Sequence, residues 1–158
     1  MPSVLIVCTA NICRSPMGEA ILKKLVSERP DADQWHVESA GTWAMDGSEP
    51  AVYSKYVMEL MGFDISAHRS QAINPKMLQN FDLILTMEGK QKKWLESQYA
   101  DFAKRTFLLS EMVGENSDIP DPIGGELVDY QETAHLLERI LTQGLDRICQ
   151  LAIIHQEF

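Results

Sequence analysis

Residues Val4–Val7 (VLIV) are uniformly aliphatic, without polar alternation, and run directly into C-T-A-N-I-C-R-S-P. A short apolar run of this kind reads as a strand buried on both faces, as in a parallel sheet. From Ser15 onward, SPMGEAILKKL reads as a helix. Pro16 is tolerated in its first turn, and Met17, Ile21 and Leu25 recur every four residues. The residues between form a strand–loop–helix junction. Such a loop ends where the unpaired N–H groups and positive dipole end of a helix favour an anion. The junction restricts the fold strongly, because parallel strands need crossover connections and cover on both faces.

Further apolar runs predict strands at His36–Ser39, Asp82–Thr86 and Thr106–Leu109. Helical patterns fall between them, at Ser15–Glu28, at Pro50–Met61 closed by Gly62, and at Glu88–Tyr99, with a short turn at Pro75–Gln79. Glu126–His155 reads as one long final stretch in which Gly144 either bends the helix or is tolerated. Cys149 lies on its apolar side and reads as core; Tyr130 reads as solvent-facing. The alternation predicts an α/β fold: a small open four-stranded parallel sheet with helices on both faces and an anion loop after the first strand. At 158 residues and 45% hydrophobic content, one domain over residues 1–158 is expected. Ligands in such sheets bind beyond the carboxyl ends of the strands, where the Cys8 loop lies.

The formal charge of −9 argues against nucleic acid or an anionic membrane as a partner, but leaves room for one small anion held by local donors. The opening MPSVLIV is too short and lacks the basic flank of a secretory signal, and no apolar run is long enough to span a bilayer. The three cysteines Cys8, Cys13 and Cys149 form no CxxC pair and leave an odd thiol, so neither a disulfide scaffold nor a zinc site is expected. Reduced thiols in a cytoplasm fit this usage. No GxGxxG follows the first strand, and no cofactor or metal is expected.

Five residues separate Cys8 from Arg14. A loop of that size can curl around a tetrahedral anion with successive N–H groups pointing inward. Arg14 would close the ring with a planar fork matched to two phosphate oxygens, which a lysine could not supply. That positive surround favours a thiolate at Cys8, placed for in-line attack on phosphorus to give a phosphocysteine. The plainer reading is a buried cysteine and a surface arginine at accidental spacing; the strand before and the Ser-Pro-helix after weigh against it. The leaving oxygen needs a proton, and Asp121 in I-P-D-P-I-G-G is the candidate acid, its backbone restricted by Pro120 and Pro122. Asp118 competes for the role, and a plain Asp-Pro turn is the alternative for Asp121.

With both loops in view, the chain closely resembles the low-molecular-weight protein tyrosine phosphatases. The resemblance rests on V-C-x5-R-S-P and the late D-P loop, joined in order by VESAGTW (Val37–Trp43), ISAHRSQ (Ile65–Gln71) and FDLILTM (Phe81–Met87). It implies phosphomonoester hydrolysis without a metal. Cys8 becomes the nucleophile, Arg14 the phosphate and transition-state clamp, and Asp121 the acid that later acts as base. Thr9, Ala10, Asn11, Ile12 and Cys13 complete the phosphate loop, and Ser15 would hydrogen-bond the Cys8 thiolate. Asn11, Ser39 and His68 resemble the buried network that holds the loop, which gives His68 a structural role. Cys13 either packs as a small apolar residue or, as in the family, forms a disulfide that traps an oxidised Cys8.

Substrate choice turns on two departures. Tyrosine-directed members often carry an aromatic pair after the aspartate; here Ile123 and Gly124 follow Pro122. The paired glycines resemble the D-P-F-G-G-like segment of the protein arginine phosphatases. Those enzymes, however, carry threonine at the position of Ile12. An isoleucine packs on an aromatic ring but offers a guanidinium no hydrogen bond. The expected substrate is therefore a phosphorylated protein, phosphotyrosine over phosphoarginine, with Ile12, Trp43 and Ile123 as apolar walls and inorganic phosphate able to occupy the loop. Gly18 replaces the family's common alanine and softens the first helix slightly. Arsenate reduction is disfavoured because no cysteine lies between Cys13 and Cys149 to relay a disulfide. A non-catalytic phosphate-binding module would not need both Cys8 and Asp121.

Overall fold

The computed structural model describes residues 1–156; the last two residues of the expected domain, 157–158, lie outside the described residues. The elements in chain order are β1 (Ser3–Cys8), α1 (Arg14–Ser27), β2 (His36–Gly41), α2 (Val52–Leu60) and α3 (Pro75–Gln79). They continue with β3 (Leu83–Thr86), α4 (Gly89–Gln98), β4 (Thr106–Leu108), α5 (Leu127–Gln143) and α6 (Leu145–Gln156). The four strands form one parallel sheet in the order β2-β1-β3-β4, as expected.

The unbroken aliphatic run of β1 is explained by its two neighbours and two covered faces. Val4 pairs with Val37 on one side and Leu83 on the other, so the strand is central. Side chains alternate across a strand, and here both sets are buried. Val4 and Ile6 join Leu83 and Leu85 against Met17, Ile21 and Leu22 of α1, Leu137 and Leu141 of α5, and Ile148 of α6. Leu5, Val7 and Ile84 face the opposite layer, Leu78, Phe81 and Leu95. Each fully buried aliphatic side chain contributes roughly 1.5–3 kcal/mol, so this two-sided core fixes the end of β1 firmly. Strand order reverses at β1, which places the crevice at the carboxyl ends of β1 and β3.

Three local readings are refined. The short turn at 75–79 is a helix, started by Asn74, whose side chain accepts the Met77 N–H. The final stretch is two helices meeting at Gly144. A Cβ there would sit 2.8 Å from Met112 Cβ and 2.9 Å from the Ile140 carbonyl, so a glycine is required by packing. Tyr130 is the correction: it is buried on α5, against the expectation that it faces solvent. Its register on the helix places it with Thr133, Ala134 and Leu137 on the covered face. Cys149 is buried in the core, as its helix face indicated.

Candidate active site

The loop from Cys8 to Arg14 is held from outside by its carbonyls. Cys8 O accepts from Thr42 N at 3.0 Å, Thr9 O from Trp43 N at 2.9 Å, and Ile12 O from Ala51 N at 2.9 Å. Asn11 O accepts from His68 Nε2 at 2.8 Å, so the structure brings His68 to the loop. Among the described residues, Thr9–Cys13 donate no backbone hydrogen bond. Carbonyls pinned outward leave a row of N–H donors for the interior, the arrangement an oxyanion requires. Asn11 takes φ +58°, the left-handed region that few non-glycine residues enter. Its fully buried side chain accounts for this. Oδ1 accepts from Gln71 N at 2.9 Å, and Nδ2 donates to Ser15 Oγ at 2.7 Å and Ser39 Oγ at 2.9 Å.

Cys8 closes β1 and is 3% exposed. Its sulfur lies 2.9 Å from Ser15 Oγ, so the expected Ser15, Asn11, Ser39 and His68 network is assembled beneath one loop. Gly41 completes this floor. It pairs with Cys8 across the sheet, and a Cβ on it would stand 2.4 Å from Thr9 O and 2.8 Å from Ala44 Cβ. In the sequence Gly41 carries no signal of this role, because a close backbone approach between β2 and a loop leaves no local pattern.

Arg14 is 1% exposed and anchored from the far side of the crevice. One guanidinium nitrogen, Nη1, bonds Glu88 and donates to Ile119 O at 2.8 Å; Nη2 lies 3.4 Å from Asp121 Oδ2. A buried guanidinium needs such partners to offset its lost hydration. Nε has no partner among the described residues, so the inner edge of the fork remains available to an anion. Glu88, just past β3, went unnoticed in the sequence. Its place at the carboxyl end of the strand beside β1 is the signal that could have found it. Gln91 locks the same corner. Its Oε1 accepts from Met87 N and Glu88 N, and its Nε2 donates to Thr9 Oγ1 at 3.0 Å.

Asp121 joins the site and Asp118 does not. Asp118 accepts from Gly89 N at 2.8 Å, at the start of α4. Asp121 lines one small cleft with Cys8, Ala10, Ile12, Cys13, Arg14 and Ile123, and its Oδ1 accepts from Ile123 N at 3.2 Å. Ile12 and Ile123 thus wall the cleft directly. Trp43 is the correction: tied to Thr9 by its backbone, it is 85% exposed and is not among the residues lining the cleft, so it is not the wall expected of it. Cys13 lies under the loop, its sulfur 3.8 Å from Tyr130 Oη, and burial pushes its thiol up to about 11. The side chains present can bind a tetrahedral oxyanion, present a sulfur at its base, and hold a carboxyl at its mouth.

The sequence profile of the family described as "Low molecular weight phosphotyrosine protein phosphatase" matches residues 3–151. The chain belongs to this family and is a phosphatase of the low-molecular-weight type. Among its relatives is a protein from Ralstonia nicotianae named "Probable low molecular weight protein-tyrosine-phosphatase EpsP". That protein is 35% identical over 92% of this chain and 95% of its own length. A crystal structure of a low molecular weight protein tyrosine phosphatase from T. tengcongensis superposes with a TM-score of 0.86 at 35% identity, covering 93% of this chain and 99% of that one. The YwlE arginine phosphatase from Geobacillus stearothermophilus also superposes, with a TM-score of 0.86 at 30% identity over 98% and 97% of the two chains.

Proposed function

We propose that this protein is a protein tyrosine phosphatase that works through a phosphocysteine on Cys8. The loop N–H groups and Arg14 bind the phosphoryl oxygens. The Cys8 sulfur attacks phosphorus in line as the P–O ester bond breaks, and Asp121 gives its proton to the departing oxygen. A water, deprotonated by Asp121, then displaces the sulfur and releases inorganic phosphate. Ser15 donates a hydrogen bond to the Cys8 sulfur, and Asn11, Ser39 and His68 hold the loop in its strained shape. Arg14 gains most in the transition state, where charge on the equatorial oxygens is spread across its fork.

The observation that carries the choice of phosphotyrosine is the pair of aliphatic side chains on the cleft, Ile12 and Ile123. They bury an aromatic ring without leaving polar groups unpaired. A phosphorylated guanidine in the same place finds no acceptor on either isoleucine, and each N–H left facing them unpaired costs about 1–3 kcal/mol. The second reading, phosphoarginine, is favoured by the paired glycines Gly124–Gly125 and the likeness to YwlE. Peroxide would convert Cys8 to a sulfenic acid, which the Cys13 thiol attacks, releasing water and forming a disulfide. A phosphorylated protein in the cytoplasm is the partner this reading requires; among the described residues no helix is long and apolar enough to cross a membrane.

The test is kcat/KM on matched phosphotyrosine and phosphoarginine peptides in metal-free buffer, with Cys8→Ser as the blank. A tyrosine preference is expected. An arginine preference would overturn the role given to Ile12, and turnover of neither would overturn the assignment for these substrates.

A further inference from the structure

The hydrogen-bond chain beneath the loop runs past the residues assigned to it so far and ends at a carboxylate. Ser39 Oγ receives Asn11 Nδ2 and itself donates to Glu19 Oε1 at 2.9 Å. Glu19 Oε2 in turn pairs with Lys23 at 3.0 Å. Two ends fix the direction of every proton in this chain. The Gln71 amide N–H can only donate, so Asn11 meets it with Oδ1 and turns both Nδ2 hydrogens to Ser15 and Ser39. An ionised carboxylate can only accept, so Ser39 gives its hydrogen to Glu19 and presents a lone pair to Asn11. Ser15 Oγ is thereby occupied as an acceptor, and its one hydrogen is left for the Cys8 sulfur 2.9 Å away.

We infer that Glu19 is a positioning residue for the nucleophile: by taking the Ser39 hydrogen it leaves Ser39 a pure acceptor for Asn11, and so holds the Asn11 amide, turned by Gln71, in the place that keeps the Ser15 hydrogen on the Cys8 sulfur. The inference rests on the reading of Cys8 as nucleophile. Ser39 is 1% exposed, so without Glu19 its hydrogen has no solvent to turn to. It would then compete with the Asn11 amide, and the linked bonds would weaken together. A surface role for Glu19, limited to the i,i+4 pair with Lys23 on α1, predicts none of this.

Alkylation of Cys8 by iodoacetamide, followed by peptide mass, tests the two layers separately. Modification at residue 8 with loss of turnover, together with an inert Cys8→Ser variant, tests the underlying reading alone. Glu19→Leu is expected to slow Cys8 alkylation at pH 6, and to lower kcat, by about five-fold, the effect of one well-placed hydrogen bond. Inhibition by inorganic phosphate is expected to stay within about two-fold, because Arg14 and the loop N–H groups are untouched. Glu19→Gln keeps an amide oxygen for Ser39 and recovers most of the rate. Lys23→Ala keeps the Glu19–Ser39 bond and behaves as wild type. In a Ser39→Ala background, Glu19→Leu adds less than about two-fold, the sign of a shared path. A Glu19→Leu rate equal to wild type, or a full effect in the Ser39→Ala background, would overturn the inference. Where Glu19→Leu fails to fold, Ser39→Ala alone decides: an unchanged alkylation rate overturns it.

Discussion

The Tyr130 hydroxyl lies 3.8 Å from the Cys13 sulfur, with both side chains closed off from solvent beneath the phosphate loop. Burial pushes Tyr130 up to about 12, with the Cys13 bond adding to the shift, as burial pushes Cys13 up to about 11. Each group therefore keeps its proton in the folded state at pH values where the unfolded chain releases it. The stabilising protons are fully held below the unfolded values, near 9 and 10, and are lost as pH rises through 11 and 12. Stability should fall across this window, by at most about 1.4 kcal/mol per pH unit for each group. Urea unfolding at pH 8 and at pH 10.5 measures it, and Cys13→Ala should flatten the fall.

Gly41→Ala places a methyl group where the Thr9 carbonyl lies at 2.4 Å, so the loop must move. The Cys8–Ser15 contact depends on that loop, and kcat/KM should drop by about 100-fold, as for a displaced catalytic group. A soluble variant with wild-type turnover would show that the floor of the loop is softer than its contacts imply.

The two aspartates of the late loop should separate cleanly. Asp121→Asn removes the proton donor at the cleft mouth, and kcat should fall by about 10²–10⁴-fold. Phosphate inhibition should persist, since Arg14 remains. Asp118→Asn disturbs only the bond to Gly89 N and should leave kcat within about three-fold, the modest effect expected away from the cleft. Steady-state kinetics of both variants on one aryl phosphate makes the comparison.

Gly18→Ala should stabilise the protein. The new methyl group would meet Ile6 Cγ2 and Met87 Cε at 3.4 Å, ordinary contact, inside a regular helix. Replacing a helical glycine by alanine contributes about 1 kcal/mol, and for a chain of this size that raises Tm by about 2–4 °C. Thermal unfolding followed by circular dichroism reads it.

Much of this protein is determined locally and is legible in the order of its residues. The aliphatic run Val4–Val7 reads as a strand buried on both faces, and Ser-Pro as the opening of a helix. A helix N-terminus leaves N–H donors unpaired, so the loop between strand and helix favours an anion. Cys8, Arg14 and Asp121 stand out by the chemistry of their residue types, and the fold brings the three to one cleft. What the tertiary structure decided lies in contacts between segments far apart in sequence. Glu88 reaches Arg14 across 74 positions, and Gln71 fixes the Asn11 amide across 60. Tyr130 was misread because a tyrosine on an amphipathic helix can face either way until its neighbours are known; here Cys13 and Tyr53 enclose it. Gly41 and Glu19 carry no motif, since a close backbone approach and the end of a proton chain exist only once the loop is folded onto its sheet.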